Sequence, residues 1–131
     1  MRLWAWANGL GFLIIGLGFA MFVEEAARGL GISFSNPTGL GDFRAVYGGI
    51  QIALGVSILF LTVRGAYREA VAIGLFAVTA LAGMRIIGMV IDQSTSPLQW
   101  RLLAPEVIGV VANALVLLMG RMGASGTPSD D

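Results

Sequence analysis

The sequence contains no cysteine, no histidine and no lysine. Without cysteine or histidine, the chain alone cannot form disulfides, thiolate nucleophiles, histidine-ligated haem, Cys/His zinc sites or a Ser-His-Asp triad. A single carboxylate in an apolar run, with no such partner, gives no pair for acid–base catalysis. We therefore expect a protein that is not an enzyme, and the residues predict no cofactor.

Charge is also scarce, because charged residues make up 12% of the 131 residues, whereas a soluble domain has about twice that fraction. The formal net charge is zero, and all eight basic residues are arginines scattered along the chain. No basic tract could grip a phosphate backbone. Nucleic acid is therefore excluded as an expected partner.

Apolar residues are abundant: they make up 56% of the chain, and the mean hydropathy is +0.83. A membrane span needs about 20 largely apolar residues, and four runs satisfy this, at 3–23, 45–63, 70–91 and 102–120. The pattern predicts an all-α fold, a four-helix transmembrane bundle that forms one domain over residues 1–120. The polar end, 121–131, is predicted to be a disordered cytoplasmic tail. We expect the first run to be retained rather than cleaved, because no A-x-A-like site precedes the acidic "VEEAARG".

Arginines near the span ends predict the orientation. One side of the membrane holds Arg2, Arg64, Arg68 and Arg121; the other holds Arg28 and Arg101, with acidic residues beside them. The positive-inside rule then places both termini in the cytoplasm, and we expect a multi-pass protein of a bacterial inner membrane. Each half reads as helix, outer loop with an X-Pro step, helix, which is compatible with a duplicated helix hairpin.

Small residues recur in the first span, where "GLGF" occurs at Gly9 and again at Gly16. A seven-residue period keeps both glycines on one stripe and predicts close packing against another helix. A second stripe, Ala45, Gly49 and Ala53, could pack within the chain or against a second copy. A homo-oligomer or a membrane partner protein is therefore compatible with the sequence.

Polar residues are spaced so that they share a helix face in three spans. The first set, in "GDFRAVYGGIQIALG", is Arg44, Tyr47, Gln51 and Gly55. The others are Arg85, Gly88 and Asp92 in the third span, and Glu106, Gly109, Asn113 and Gly120 in the fourth. Such faces should turn inward, because lipid offers polar groups no partner.

An ionic cluster is expected in the outer half of the bundle. An arginine at a helix centre costs about 2.5–3.5 kcal/mol on insertion scales, so Glu106 should pair with Arg85, Arg44 or both, while Asp42 assists Arg44. Pro105 suggests that the fourth helix starts near residue 103 or 104, which would put Glu106 in the first turn. There the helix dipole favours a carboxylate.

Three interpretations of this cluster stay open. It could be an ion network that fixes the register of the helices. It could line a pocket for an anionic or polar-headed lipid-like ligand, since two arginines against one glutamate leave surplus positive charge. It could also serve ion- or proton-coupled transport with Glu106 as the titrating group. Separately, Trp4, Trp6 and Trp100 are expected to anchor at the membrane interfaces.

The segments "GLGFLIIGLGFA", "SNPTGLGDFRAVYGGIQIALG", "GMRIIGMVID" and "APEVIG" together resemble a bacterial family of small four-helix membrane proteins, which is catalogued as a domain of unknown function. The arrangement more loosely resembles DoxX-type membrane proteins, some of which are linked to quinone-coupled or redox systems. The resemblance thus allows a quinone as cofactor, and the pocket interpretation allows a lipid. The family pattern corresponds to positions Asp42, Arg44, Tyr47, Gly48, Gly49, Arg85, Gly88 and Glu106.

The sequence thus predicts a non-enzymatic accessory or lipid- or small-ligand-binding membrane protein, with membrane lipids as its partners. The predicted site combines Asp42, Arg44, Tyr47, Gln51, Arg85, Glu106 and Asn113. The alternative is a small ion- or proton-coupled transporter that acts as a dimer and uses Glu106. Small four-helix multidrug exporters of that kind keep their essential glutamate in the first helix, whereas the first span here has no acidic residue.

Overall fold

The computed structural model describes residues 1–124, and these form an all-helical bundle. The helices, in chain order, are α1 (Arg2–Met21), α2 (Val23–Gly29), α3 (Pro37–Phe43), α4 (Ile50–Val63), α5 (Tyr67–Ile91) and α6 (Pro97–Ala124). A π-helical turn, Arg44–Gly49, joins α3 to α4 without a break. The predicted tail therefore begins inside α6, and its remainder, 125–131, lies outside the described residues.

Four helical stretches are long and apolar enough to cross a membrane, which confirms the predicted four-span bundle and marks the chain as a multi-pass membrane protein. Their bounds are Arg2–Met21, Pro37–Val63, Tyr67–Ile91 and Pro97–Gly120. The second and fourth are longer than predicted, because the sequences read as loop before them are helical. The connection between the first two spans also contains α2, which was predicted as loop.

Both X-Pro steps start helices rather than break them. Asn36 accepts a hydrogen bond from the Gly39 backbone N–H at 3.0 Å, with Pro37 at the first helical position. Ser96 takes the same position before Pro97 as Asn36 does before Pro37, and its Oγ accepts a hydrogen bond from the Gln99 backbone N–H at 3.4 Å. A proline at the first position loses no hydrogen bond, since its N–H would be unpaired there anyway.

The predicted start of α6 near residue 103 is therefore wrong. α6 begins at Pro97 and runs through Pro105, which lies inside the helix. Glu106 sits nine residues after Pro97, so it is not in the first turn, and the helix dipole does not account for it. Proline at 105 cannot donate to the carbonyl of Arg101, so the helix tolerates one missing bond immediately before the glutamate.

The spans pack as two pairs, α1 with α4 and α5 with α6. In the first pair the backbones nearly touch: a Cβ added at Gly16 would lie 2.6 Å from the Ile52 backbone nitrogen, and one at Gly55 would lie 2.6 Å from the Leu13 nitrogen. Gly9 is likewise closed in by side chains of α4. The close packing predicted from the seven-residue glycine spacing is confirmed.

A hydrogen-bond network around the Asn113 side-chain amide connects the two helix pairs, between the first part of α1 and the second half of α6. Asn113 of α6 is buried, and its Oδ1 accepts hydrogen bonds from Trp4 Nε1 at 3.0 Å and Asn8 Nδ2 at 2.6 Å. Its own Nδ2 donates to the Gly109 carbonyl at 2.7 Å. Trp4 was predicted to anchor at the membrane interface, but its polar edge turns inward because Asn113 offers an acceptor there.

Replacing Asn113 with alanine should lower the free energy of unfolding by about 1–2 kcal/mol. Bonds across helices in a bilayer average about 0.6 kcal/mol each, and the change removes two and leaves a small void. Asn8→Ala keeps the hydrogen bond between Trp4 and Asn113, so it should lower the free energy of unfolding by less. Unfolding in mixed micelles measures both, with the exposed Thr79→Ala as control; an Asn113→Ala curve matching wild type would contradict the assignment.

Candidate functional site

The ionic centre of the bundle is formed by Arg85 and Glu106. Arg85 Nε donates to Glu106 Oε2 at 2.9 Å, and Arg85 Nη2 donates to Glu106 Oε1 at 2.6 Å. This is a two-bond fork, the geometry in which a guanidinium binds a carboxylate most strongly. The side chains are 23% and 13% exposed. Among the side chains that the structure describes, it is the single ion pair, and both partners come from the α5–α6 pair.

Of the two arginines predicted as partners of Glu106, Arg85 forms the pair, whereas Arg44 lies outside this centre. Its Nε donates to the backbone carbonyl of Ala20 at 3.1 Å, near the C-terminal end of α1. The helix dipole stabilises a cation at that end. Asp42 is exposed and forms no ion pair with Arg44. Both residues are exposed on the surface of the bundle.

The π-helical turn explains why Arg44 departs from the predicted stripe. In a π-helix the hydrogen bonds run from i to i+5, so the turn holds more residues than an α-helical turn. The spacing i, i+3, i+7 then no longer marks a single face. Tyr47 and Gln51 stay on the inner wall, Gly55 is buried against α1, and Arg44 reaches the end of α1. The turn coincides with "RAVYGG", and such turns occur frequently at functional sites.

A cavity of about 520 Å³ lies between the two helix pairs; we call it the central cavity. Apolar side chains of the first, third and fourth spans form most of its wall, and the connection after α2 contributes Leu30 and Ile32. Its polar lining residues are Asn8, Tyr47, Gln51, Arg85, Gln99 and Glu106. An apolar chamber with a few convergent polar groups has the usual form of a small-molecule site.

Tyr47 is fixed on the cavity wall by aromatic packing. Its ring stacks on Phe43 with centroids 4.4 Å apart and an interplanar angle of 16°. Phe19 packs against both rings, at 5.9 Å from Phe43 and 5.7 Å from Tyr47, and Phe34 meets Phe43 edge-on at 5.5 Å. Aromatic packing of this kind holds the rings in set positions, so Tyr47 presents a preset surface to the cavity.

Gln51 is the polar group whose hydrogen bonding is incomplete. Its Oε1 atom is buried and has no hydrogen-bond partner. Leaving a buried acceptor unpaired costs about 1–3 kcal/mol, so a native protein that keeps one calls for an explanation. Gln51 is one of the residues that line the central cavity, so a molecule bound there would lie beside the side chain that carries this acceptor.

Comparison with protein families shows that the family described as a domain of unknown function, DUF4345, matches residues 1–119. The chain belongs to this family. Comparison with curated proteins found no match, and comparison with solved structures found none. The looser resemblance to DoxX-type proteins is not tested by these comparisons and stays a prediction.

In this DUF4345 domain, four of the seven predicted site residues line the central cavity: Tyr47, Gln51, Arg85 and Glu106. Asn113 bonds to the cavity residue Asn8, whereas Asp42 and Arg44 lie elsewhere. Sequence reasoning missed Asn8 and Gln99. A lone amide in the charge-free first span was a usable signal for Asn8. Gln99 had none, because its segment was read as a loop; its Oε1 accepts from Arg85 Nη1 at 3.4 Å.

Proposed function

We propose that this protein binds a membrane amphiphile and holds the polar head of that molecule in the central cavity, beside Arg85 and Gln51. The observation that carries the proposal is the unpaired Oε1 of Gln51, a residue that lines a chamber with a mostly apolar wall and a few polar groups. A ligand that donates a hydrogen bond there would relieve the cost of the buried acceptor. The protein would act as a lipid- or small-ligand-binding accessory protein rather than as an enzyme.

The charges favour a polar head over a strongly anionic one. The surplus positive charge expected from the sequence required two arginines, but Arg44 is not in the cavity and Arg85 is already matched by Glu106. The same fork weighs against the transporter alternative, since Glu106 is bound by two charge-assisted hydrogen bonds and does not present a free carboxylate to a passing ion. A quinone head, which carries only acceptors, would leave Gln51 Oε1 unpaired.

We further propose that the protein resides in a bacterial inner membrane with both termini in the cytoplasm. Support comes from the distribution of arginines, with Arg2, Arg64 and Arg68 at one set of helix ends and the positive-inside rule. In that orientation Arg85, six residues before the end of α5, lies about 9 Å below its outer end. The head of the ligand would then lie in the outer half of the bilayer.

Replacing Gln51 with leucine should weaken ligand binding while leaving the fold at least as stable. The variant loses one hydrogen bond to the ligand, worth about 0.5–1.5 kcal/mol, or roughly two- to tenfold in affinity. It also removes the unpaired acceptor from the empty protein. Native mass spectrometry from mild detergent measures the bound lipid, and an unfolding titration measures stability.

Arg44→Gln is the matched control, because Arg44 was a predicted site residue and lies outside the cavity. We expect wild type and Arg44→Gln to carry the same bound amphiphile and Gln51→Leu to carry less. Wild type that retains no lipid, or equal retention by all three proteins, would refute the proposal.

A further inference from the structure

A second cavity, of about 720 Å³, lies between α4 and α5. We call it the lateral groove and define it by Ile50, Leu54, Ile73, Phe76, Ala80 and Met84. Several of these side chains are exposed, Phe76 at 71% and Met84 at 66%. Since both helices belong to membrane-spanning stretches, the groove opens sideways onto the acyl chains of the bilayer.

The lateral groove and the central cavity meet at four residues that line both: Tyr47, Gln51, Leu81 and Arg85. Three of these four are polar, and in the proposed orientation they stand at the outer end of the groove, because the second span runs inward from Tyr47 and α5 runs outward towards Arg85. The inner end, around Leu54 and Ile73, is apolar. The groove thus has the polarity of an amphiphile, with a head position at one end and a tail position along the rest.

The dimensions of the groove fit one hydrocarbon chain. From Ile73 to Arg85 it follows twelve residues of α5, about 18 Å at 1.5 Å per residue. One leaflet of the hydrocarbon core is about 15 Å thick. A single acyl chain of ordinary length therefore fills the groove from the polar end to beyond the middle of the bilayer.

The polar end favours a head without net charge. Arg85 is neutralised by Glu106 and still has N–H groups to donate, while Gln51 Oε1 still needs a donor. A hydroxyl satisfies both, because it donates one hydrogen bond and accepts others. A phosphate or carboxylate at this depth would have to give up its hydration and would meet Glu106 at close range.

Resting on the proposed function, we infer that the ligand is a single-chain amphiphile with an uncharged, hydroxylated head, of the monoacylglycerol or fatty-alcohol class. Its chain lies in the lateral groove, its head reaches the central cavity between Gln51 and Arg85, and it enters from the bilayer between α4 and α5. The shared residues are the passage from the groove to the cavity.

Photo-crosslinking in nanodiscs of phosphatidylcholine tests this inference with three probes that carry the same diazirine-bearing chain. They are a monoacylglycerol, a free fatty acid and a phosphatidylcholine. We expect the monoacylglycerol to label α4 and α5 at least tenfold more than the other two. Equal labelling by the fatty acid or by the phosphatidylcholine would overturn the assignment of an uncharged single-chain ligand.

A filled groove gives the second arm of the test. Ala80→Phe places a ring in the groove at an exposed position, and Ala53→Phe places one on a lipid-facing position of α4 that lines neither cavity. We expect monoacylglycerol labelling to fall about tenfold in Ala80→Phe and to stay at the wild-type level in Ala53→Phe. Thermal unfolding establishes that both variants are folded.

The outcomes separate the two proposals. If Gln51→Leu loses the labelling and Ala80→Phe retains it, the groove inference fails and the central-cavity proposal stands. If neither substitution changes the labelling, or if wild type is not labelled by any probe, both proposals fail. If Gln51→Leu and Ala80→Phe both lose the monoacylglycerol labelling and Ala53→Phe is labelled like wild type, both proposals are supported.

Discussion

Removing either partner of the Arg85–Glu106 pair should destabilise the protein by about 3–5 kcal/mol, as is typical when one charge of a largely buried pair is left alone. Glu106→Leu leaves the Arg85 guanidinium without the carboxylate that accepts two of its hydrogen bonds. Arg85→Leu leaves the Glu106 carboxylate without its cationic partner in the same way. Unfolding of purified protein in mixed micelles measures both losses.

The double variant Arg85→Leu/Glu106→Leu should recover most of the lost stability. Replacing a buried ion pair by apolar residues of similar volume is often neutral or stabilising. Asp42→Leu is the matched control, because Asp42 is an exposed acid that forms no ion pair, and it should change stability by less than about 0.5 kcal/mol. Additive losses in the double variant would mean that the two side chains do not pair in the folded membrane protein.

The second large effect is expected at the α1–α4 contact. Gly16→Ala should lower the free energy of unfolding by about 1–3 kcal/mol, the usual cost of overpacking. Its Cβ would lie 2.6 Å from the Ile52 nitrogen and 2.9 Å from the Gly48 carbonyl oxygen. Both are backbone atoms, so the two helices must separate to admit the methyl group.

Gly18→Ala is the control on the same helix, because a Cβ there meets nothing within 4 Å. It should be neutral or stabilise the protein by up to about 1 kcal/mol, since alanine is the better helix former. The same unfolding titration compares the two variants. Similar stabilities for Gly16→Ala and Gly18→Ala would contradict the packing of α1 on α4.

The span pattern and the glycine period could be predicted from sequence because each depends on one regularity. A run of about 20 apolar residues fixes a membrane helix, and glycines seven apart lie on one stripe, as Gly9 and Gly16 do. The pairing of Arg85 with Glu106 followed from the cost of lone charges in hydrocarbon. That argument names the need for a partner but does not choose between Arg44 and Arg85.

The errors came from local backbone geometry that composition does not report. The stripe containing Arg44 assumed α-helical spacing, and the π-helical turn broke it. Pro105 was taken as a helix start, although the Ser96–Pro97 cap begins α6 two turns earlier and the helix tolerates the second proline. The central cavity itself depends on how far the two helix pairs stand apart, and no pattern in the sequence encodes that distance.

The location of the charges has a consequence for biogenesis. Arg85 and Glu106 belong to consecutive spans, α5 and α6. Arg44 belongs to the second span and donates a hydrogen bond to a carbonyl of α1, the span that packs against α4. Each hairpin can therefore leave the translocon with its charges already satisfied, without waiting for the other. The chamber between them comes into being only when the two finished hairpins meet in the bilayer.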